Sequence, residues 1–110
     1  MGRIFYGTSD QAIEIEDRLL AHVQAVVITK LRRGESFSLT CRAADGSRET
    51  VWVNSAIPIR IVLEDETDGR LDRELLVQLV EAANSNRGLD VTELMAESAP
   101  VQRRNLSRAA

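Results

Sequence analysis

Three cations and a glycine fall together in Lys30-Leu31-Arg32-Arg33-Gly34-Glu35-Ser36. Such a cluster can hold a phosphate or a nucleic-acid backbone. It also lies where a helix is expected to end, and there cations suit the negative end of the dipole while anions do not. Capping and solvation are therefore set beside anion contact. Lys30 falls near the apolar side of that helix, so its stem is expected to pack. His22 is the sole histidine and has Arg18 one turn before it. A general-base role would need a carboxylate or nucleophile brought near by the fold. Cys41 alternates with polar neighbours in a way that points it into the core as an inert thiol. One histidine and one cysteine offer no paired-ligand spacing, so no metal site is expected. Trp52 falls on the opposite side of its strand from Val51 and Val53, with Thr40, Arg42 and Asn54. It is either a contact surface for a partner or a base, or it is covered by a second helix. Arg48 adds a further cation close by. Asp45-Gly46 has the turn chemistry of a hairpin.

The elements that must carry these residues follow from periodicity. Residues 3–6 and 11–16 read as two short strands around the turn Gly7-Thr8-Ser9-Asp10. Asp17 is placed to cap a helix over 18–33. Leu19, Leu20, Val23, Val26, Val27 and Leu31 line one face of it. Ala21, Ala25 and Ile28 make a smaller apolar back, and Arg18, His22, Thr29 and Arg33 a narrow polar stripe. Gly34 is placed as the residue after the cap. A second hairpin follows, with Phe37, Leu39 and Cys41 inward, then Val51 and Val53 on the return. Pro58 shifts the register before Ile57, Ile59, Ile61 and Leu63 form a fifth strand. A second helix runs over 72–83 behind the cap Asp72, with Leu75, Leu76, Leu79, Val80 and Ala83 buried. Leu89 and Val91 fit a short sixth strand. The expected fold is α+β in the order ββαβββα(β), one antiparallel sheet with two helices packed on it.

Length and composition set the outer limits. The chain has 110 residues with 44% hydrophobic and 28% charged, the size and usage of one globular domain with a real core. The domain is expected over 1–92, with a basic, disordered tail over 93–110 that includes Arg103, Arg104 and Arg108. The net charge is -3, so the molecule as a whole is no generic polyanion binder. An acidic run, Glu64, Asp65, Glu66 and Asp68, is expected to be a solvated loop. No apolar run spans a bilayer and no signal peptide is visible, so the expected setting is cytoplasmic. No Walker loop, Gly-x-Gly-x-x-Gly, Gly-x-Ser-x-Gly or His-Glu-x-x-His occurs, and no catalytic residue or cofactor is implied.

Lys30-Leu31-Arg32-Arg33-Gly34-Glu35-Ser36-Phe37, Val51-Trp52-Val53 leading to Ser55-Ala56-Ile57-Pro58-Ile59, and Glu81-Ala82-Ala83-Asn84-Ser85 before Gly88-Leu89 resemble a family of short actinobacterial proteins of unknown function, often labelled ATP-dependent DNA ligase. The resemblance covers roughly residues 1–92 and implies no catalytic residues to carry over. Members tend to have a His-Pro-Ser-Ile-Pro run where this chain has Val53-Asn54-Ser55-Ala56-Ile57-Pro58, and a tryptophan or similar residue near Cys41. A ligase of that type needs a nucleotidyltransferase domain with a Lys-x-Asp-Gly nucleophile and an OB-fold. Before Asp45-Gly46 this chain has Ala43 in the lysine's place.

Two functional expectations follow. One is a non-catalytic interaction domain that binds a protein partner or itself as a homodimer, from the apolar back of the first helix and from Trp52. The other is a nucleic-acid accessory protein, from Lys30, Arg32, Arg33, Arg42, Arg48 and the basic tail.

Overall fold

In the computed structural model of the chain, residues 1–65 and 70–97 are described. Alternating isoleucines build the first sheet. β1 (Gly2–Tyr6) pairs antiparallel with β2 (Ile13–Ile15), and Ile4, Ile13 and Ile15 turn into the core. α1 (Asp17–Arg32) follows at once. Its cap is Glu16 rather than the expected Asp17. The Glu16 carboxylate accepts from the N–H groups of Arg18 and Leu19 at 2.8 and 3.0 Å. Asp17 is drawn into the helix and buried, where it accepts from the Met1 ammonium at 3.1 Å and the Glu64 N–H at 3.1 Å. Burial pushes the Asp17 carboxyl up, but these hydrogen bonds and the ammonium charge outweigh it and hold the group below the usual range.

α1 closes as a Schellman motif. The Gly34 N–H reaches the Leu31 carbonyl, the Glu35 N–H reaches the Lys30 carbonyl, and Gly34 has φ +72°. A glycine is needed there because a side chain at that φ is strained. The chain then makes the expected hairpin of β3 (Phe37–Arg42) and β4 (Arg48–Val53), with Phe37, Leu39, Cys41 and Val53 buried.

The single antiparallel sheet is corrected at this point. β5 (Ile59–Val62) does not extend the β3–β4 hairpin but crosses to pair antiparallel with β1. The turn at residues 54–58 is the physical cause. Asn54 accepts from the Ala56 N–H through its side chain and from the Ile57 N–H through its carbonyl, which folds the strand back before Pro58. The Pro58 carbonyl then accepts from the Gly7 N–H, docking the strand on β1. Two three-stranded sheets result, β2-β1-β5 and β4-β3-β6.

α2 (Arg73–Ala83) starts behind Asp72 as expected; the Asp72 carboxylate accepts from the Glu74 and Leu75 N–H groups. β6 (Leu89–Asp90) then joins β3 in parallel, the second departure from an all-antiparallel sheet. A helix-containing crossover is what a parallel return requires. α3 (Thr92–Glu97) follows, a short helix across the boundary expected at residue 92. The rest of the expected tail, with its arginines, lies outside the described residues, as do Glu66 and Asp68 of the acidic run.

One core joins both sheets to the helices through Leu20, Val23, Val26, Leu39, Leu79 and Leu89, among others. Tyr6 on the first sheet donates its hydroxyl to the Trp52 carbonyl on the second, tying the two together. Among the described residues no helix is long and apolar enough to cross a membrane.

Candidate functional site

Besides Asp17, two polar residues of α1 are buried; Lys30 packs its stem as its place near the apolar side predicts, whereas His22 departs from the helical wheel. His22, assigned to the polar stripe, is fully buried. Its Nε2 accepts from the Asp72 N–H at 2.8 Å, which puts the ring proton on Nδ1, and that proton is donated to the Arg18 carbonyl at 2.7 Å. With both nitrogens engaged by backbone, the imidazole is a neutral structural link with no free edge for base catalysis. Lys30 is buried as well, and its ammonium donates to the Asn84 side-chain carbonyl.

Asp72 caps the start of α2 and Asn84 its end. His22 and Lys30 therefore grip opposite ends of the same helix. Their order shows that α1 and α2 run in the same direction. Val80 of α2, expected inside, is 38% exposed, and Ile28 on the back of α1 is 48% exposed.

The Lys30 end opens to solvent. A pocket of about 310 Å³ lies there, between the end of α1, the start of β3, Trp52 and the loop after α2. Lys30, Ser38, Trp52, Asn84 and Asn86 supply its polar lining, over an apolar floor of Phe37 and Ala83. Trp52 stands on the outer face of the second sheet opposite Ser38 and is 57% exposed. The open alternative for this residue is thus resolved as exposure. Along the same face Thr40 lies opposite Thr50, their hydroxyls 2.8 Å apart, and Arg42 lies opposite Arg48.

A second groove, of about 770 Å³, continues from the first across Ser85 and Gly88, which line both. Arg42, Arg48 and Arg87 bring positive charge to it, against Asp90 and Glu93. The cations are unequal. Arg48 is paired with Asp90 and Arg42 donates to the Gly46 carbonyl, whereas Arg87 has no carboxylate partner among the described residues. The Asp90 carboxyl is held below its usual range, first by the Thr92 hydroxyl and then by the Thr92 N–H, with Arg48 adding to it.

The family described as Domain of unknown function (DUF7882) matches residues 1–94. The chain belongs to this family. No curated protein and no solved structure matches it. The family assigns no activity, so the residues themselves must speak for one.

Of the six residues singled out from sequence, the fold gathers Lys30 and Trp52 at one pocket and Arg42 and Arg48 at the adjoining groove. Arg32 and Arg33 are exposed and line neither; their place in the last turn of α1 is the capping position that the dipole favours. Cys41 is fully buried as expected, and burial foremost, with the charges of Glu49 and Asp90, pushes its thiol up to about 12. Asp45-Gly46 is a hairpin turn, Asp45 accepting from the Ser47 N–H and hydroxyl.

Sequence reading missed the loop Asn84-Ser85-Asn86-Arg87-Gly88, taken only as the end of a helix. A signal was present. One residue suffices to stop a helix, and a run of five polar or small residues is longer than a cap requires.

Proposed function

We propose that this domain is a non-catalytic protein-interaction module whose contact surface is the outer face of the second sheet around Trp52. The observation that carries the reading is the exposure of that indole, the largest side chain in the protein, on a sheet face where every other position is polar. A large aromatic left half in solvent beside shaped pockets is the usual composition of an interface hot spot.

The arginines of the adjoining groove favour a nucleic-acid ligand as a second reading. It is the weaker one. Arg48 is already neutralised by Asp90, Glu93 adds a further negative charge, and the chain carries a net charge of -3. The ligase label of the proteins it resembles has no support in the residues, because no lysine precedes the Asp45-Gly46 turn at the required place. The setting we expect is cytoplasmic, in keeping with a single unpaired thiol.

A photo-crosslinking amino acid at Thr50, exposed beside Trp52, tests the surface in cells. Discrete adducts are expected there, and none from the same probe at Glu14, exposed on the first sheet. Equal yields from both positions, or none from Thr50, would reject the reading. Adducts of twice the chain mass, with a dimer by light scattering, would make the partner a second copy.

A further inference from the structure

The pocket at the open end of α1 has the chemistry of a carboxylate receptor. Lys30 is its centre. The side chain is only 10% exposed, yet its ammonium has three N–H donors and meets few acceptors. One N–H goes to the Asn84 side-chain carbonyl. The nearest carboxylate, Glu35, stands at 3.6 Å, an ion pair outside hydrogen-bond distance. A largely desolvated ammonium with donors to spare favours an anion brought to it. The rest of the lining agrees. Asn84, with its carbonyl taken by Lys30, has its amide N–H groups left to offer, and Asn86, Ser36 and Ser38 can donate as well. Among the described residues the lining holds no carboxylate, the nearest being Glu35 beside Lys30. Trp52 forms one wall and leads toward the groove where Arg87 has no carboxylate partner among the described residues.

We propose that this pocket takes the side-chain carboxylate of an aspartate or glutamate in an extended segment of a partner protein, with Trp52 covering the apolar residue beside it. The proposal rests on the interaction reading above and names the chemistry of the partner. Charge placement selects a peptide over a nucleic acid. The cation at the site is one buried ammonium with Glu35 beside it, and Asp90 and Glu93 line the adjoining groove. A backbone with a charge at every residue meets those carboxylates. A segment with one or two acids can set one of them at Lys30, in place of the loosely held Glu35, and keep the rest of its length uncharged. The pocket volume of about 310 Å³ accommodates one side chain and its neighbour.

The test is a selection of random heptapeptides displayed on phage against the immobilised whole chain. Recovered peptides are synthesised, labelled and titrated by fluorescence anisotropy. They are expected to share one acidic residue next to an apolar one. Changing that acid to its amide should weaken binding about tenfold or more, the size of a charge-assisted hydrogen bond. Lys30→Met should impose the same loss on the acidic peptide and leave the amide peptide unchanged. Asn86→Asp, at an exposed position, adds a carboxylate to the pocket and should weaken only the acidic peptide. Urea midpoints for each variant confirm that it folds, and Asn86→Asp decides the matter if Lys30→Met does not.

Peptides that bind through Trp52, lost in Trp52→Ala but indifferent to their acid and to both pocket variants, would overturn the carboxylate pocket and leave the interaction surface standing. Recovery of no peptide, or of peptides indifferent to Trp52 as well, would overturn both. Tight binding of a thymidine decamer with a steep salt dependence would overturn the peptide in favour of a nucleic acid.

Discussion

The two ends of the α1–α2 contact use the same device for different purposes. At one end His22 meets the helix start at Asp72; at the other Lys30 meets the helix end at Asn84. Both side chains are buried and polar, and each holds a terminus of α2. The His22 imidazole is closed off, for the pocket of about 290 Å³ between Arg18 and Asp72 does not reach it. The ring is neutral, both its nitrogens are engaged, and each partner is a backbone atom. The Lys30 end is charged, holds a side chain rather than backbone, and opens onto a pocket walled by Trp52. A buried polar group whose capacity is filled contributes to a unique structure. One whose capacity is only partly filled is available to a ligand. The comparison therefore separates scaffold from site within a single helix pair.

The sharpest way to break the open end is Gly88→Ala. A Cβ there would lie 1.8 Å from the Ser38 hydroxyl oxygen and 2.9 Å from its carbonyl oxygen, at φ +74°. Backbone on one side and a left-handed φ on the other leave no cheap relief. We expect a loss of about 3 kcal/mol in urea unfolding, with β6 displaced from β3. Gly46→Ala is the control. It also has positive φ, +88°, but no atom lies within 4 Å, so about 1 kcal/mol is expected.

The His22 end is next. His22→Leu leaves the Asp72 N–H without its acceptor and should cost about 2 kcal/mol, with faster amide exchange in the first turn of α2. Lys30→Met keeps an apolar stem of similar length, and water can replace the ammonium at the exposed Asn84. Its cost should stay under about 1 kcal/mol. Equal losses from the two variants would erase the distinction between scaffold and site.

The smallest effect concerns pH at the groove. The Asp90 carboxyl titrates below its ordinary range in the folded protein, chiefly through the Thr92 hydroxyl. Its contribution to stability is therefore whole above the unfolded carboxylate range and is lost as pH falls through the folded value. Asp90→Ala should flatten the acid limb of the stability profile and leave the neutral region almost level. An unchanged acid limb would show that the Asp90–Thr92 contact is not maintained in solution.

Most of the local structure was legible from the chain. Alternating isoleucines, the apolar face of α1, the Gly34 cap, the Asp45-Gly46 turn and the Asp72 cap are all short-range patterns, and each forms where the pattern places it. The candidate site was legible in its parts, since Lys30 and Trp52 each stood out by type. Their meeting was not legible, because the two are joined through a loop, Asn84–Gly88, that carries no signal of its own beyond its length.

Sequence alone determined most helices and strands, α3 excepted, and their main apolar faces, because those follow from periods of two and 3.6 residues and from the chemistry of single caps and turns. The tertiary structure decided the rest. It sent β5 to β1, returned β6 parallel to β3, buried His22 and Lys30 against the two ends of α2, and left Trp52 in solvent. These outcomes depend on which distant segment completes a hydrogen-bond edge or a desolvated contact, and no local pattern encodes that choice.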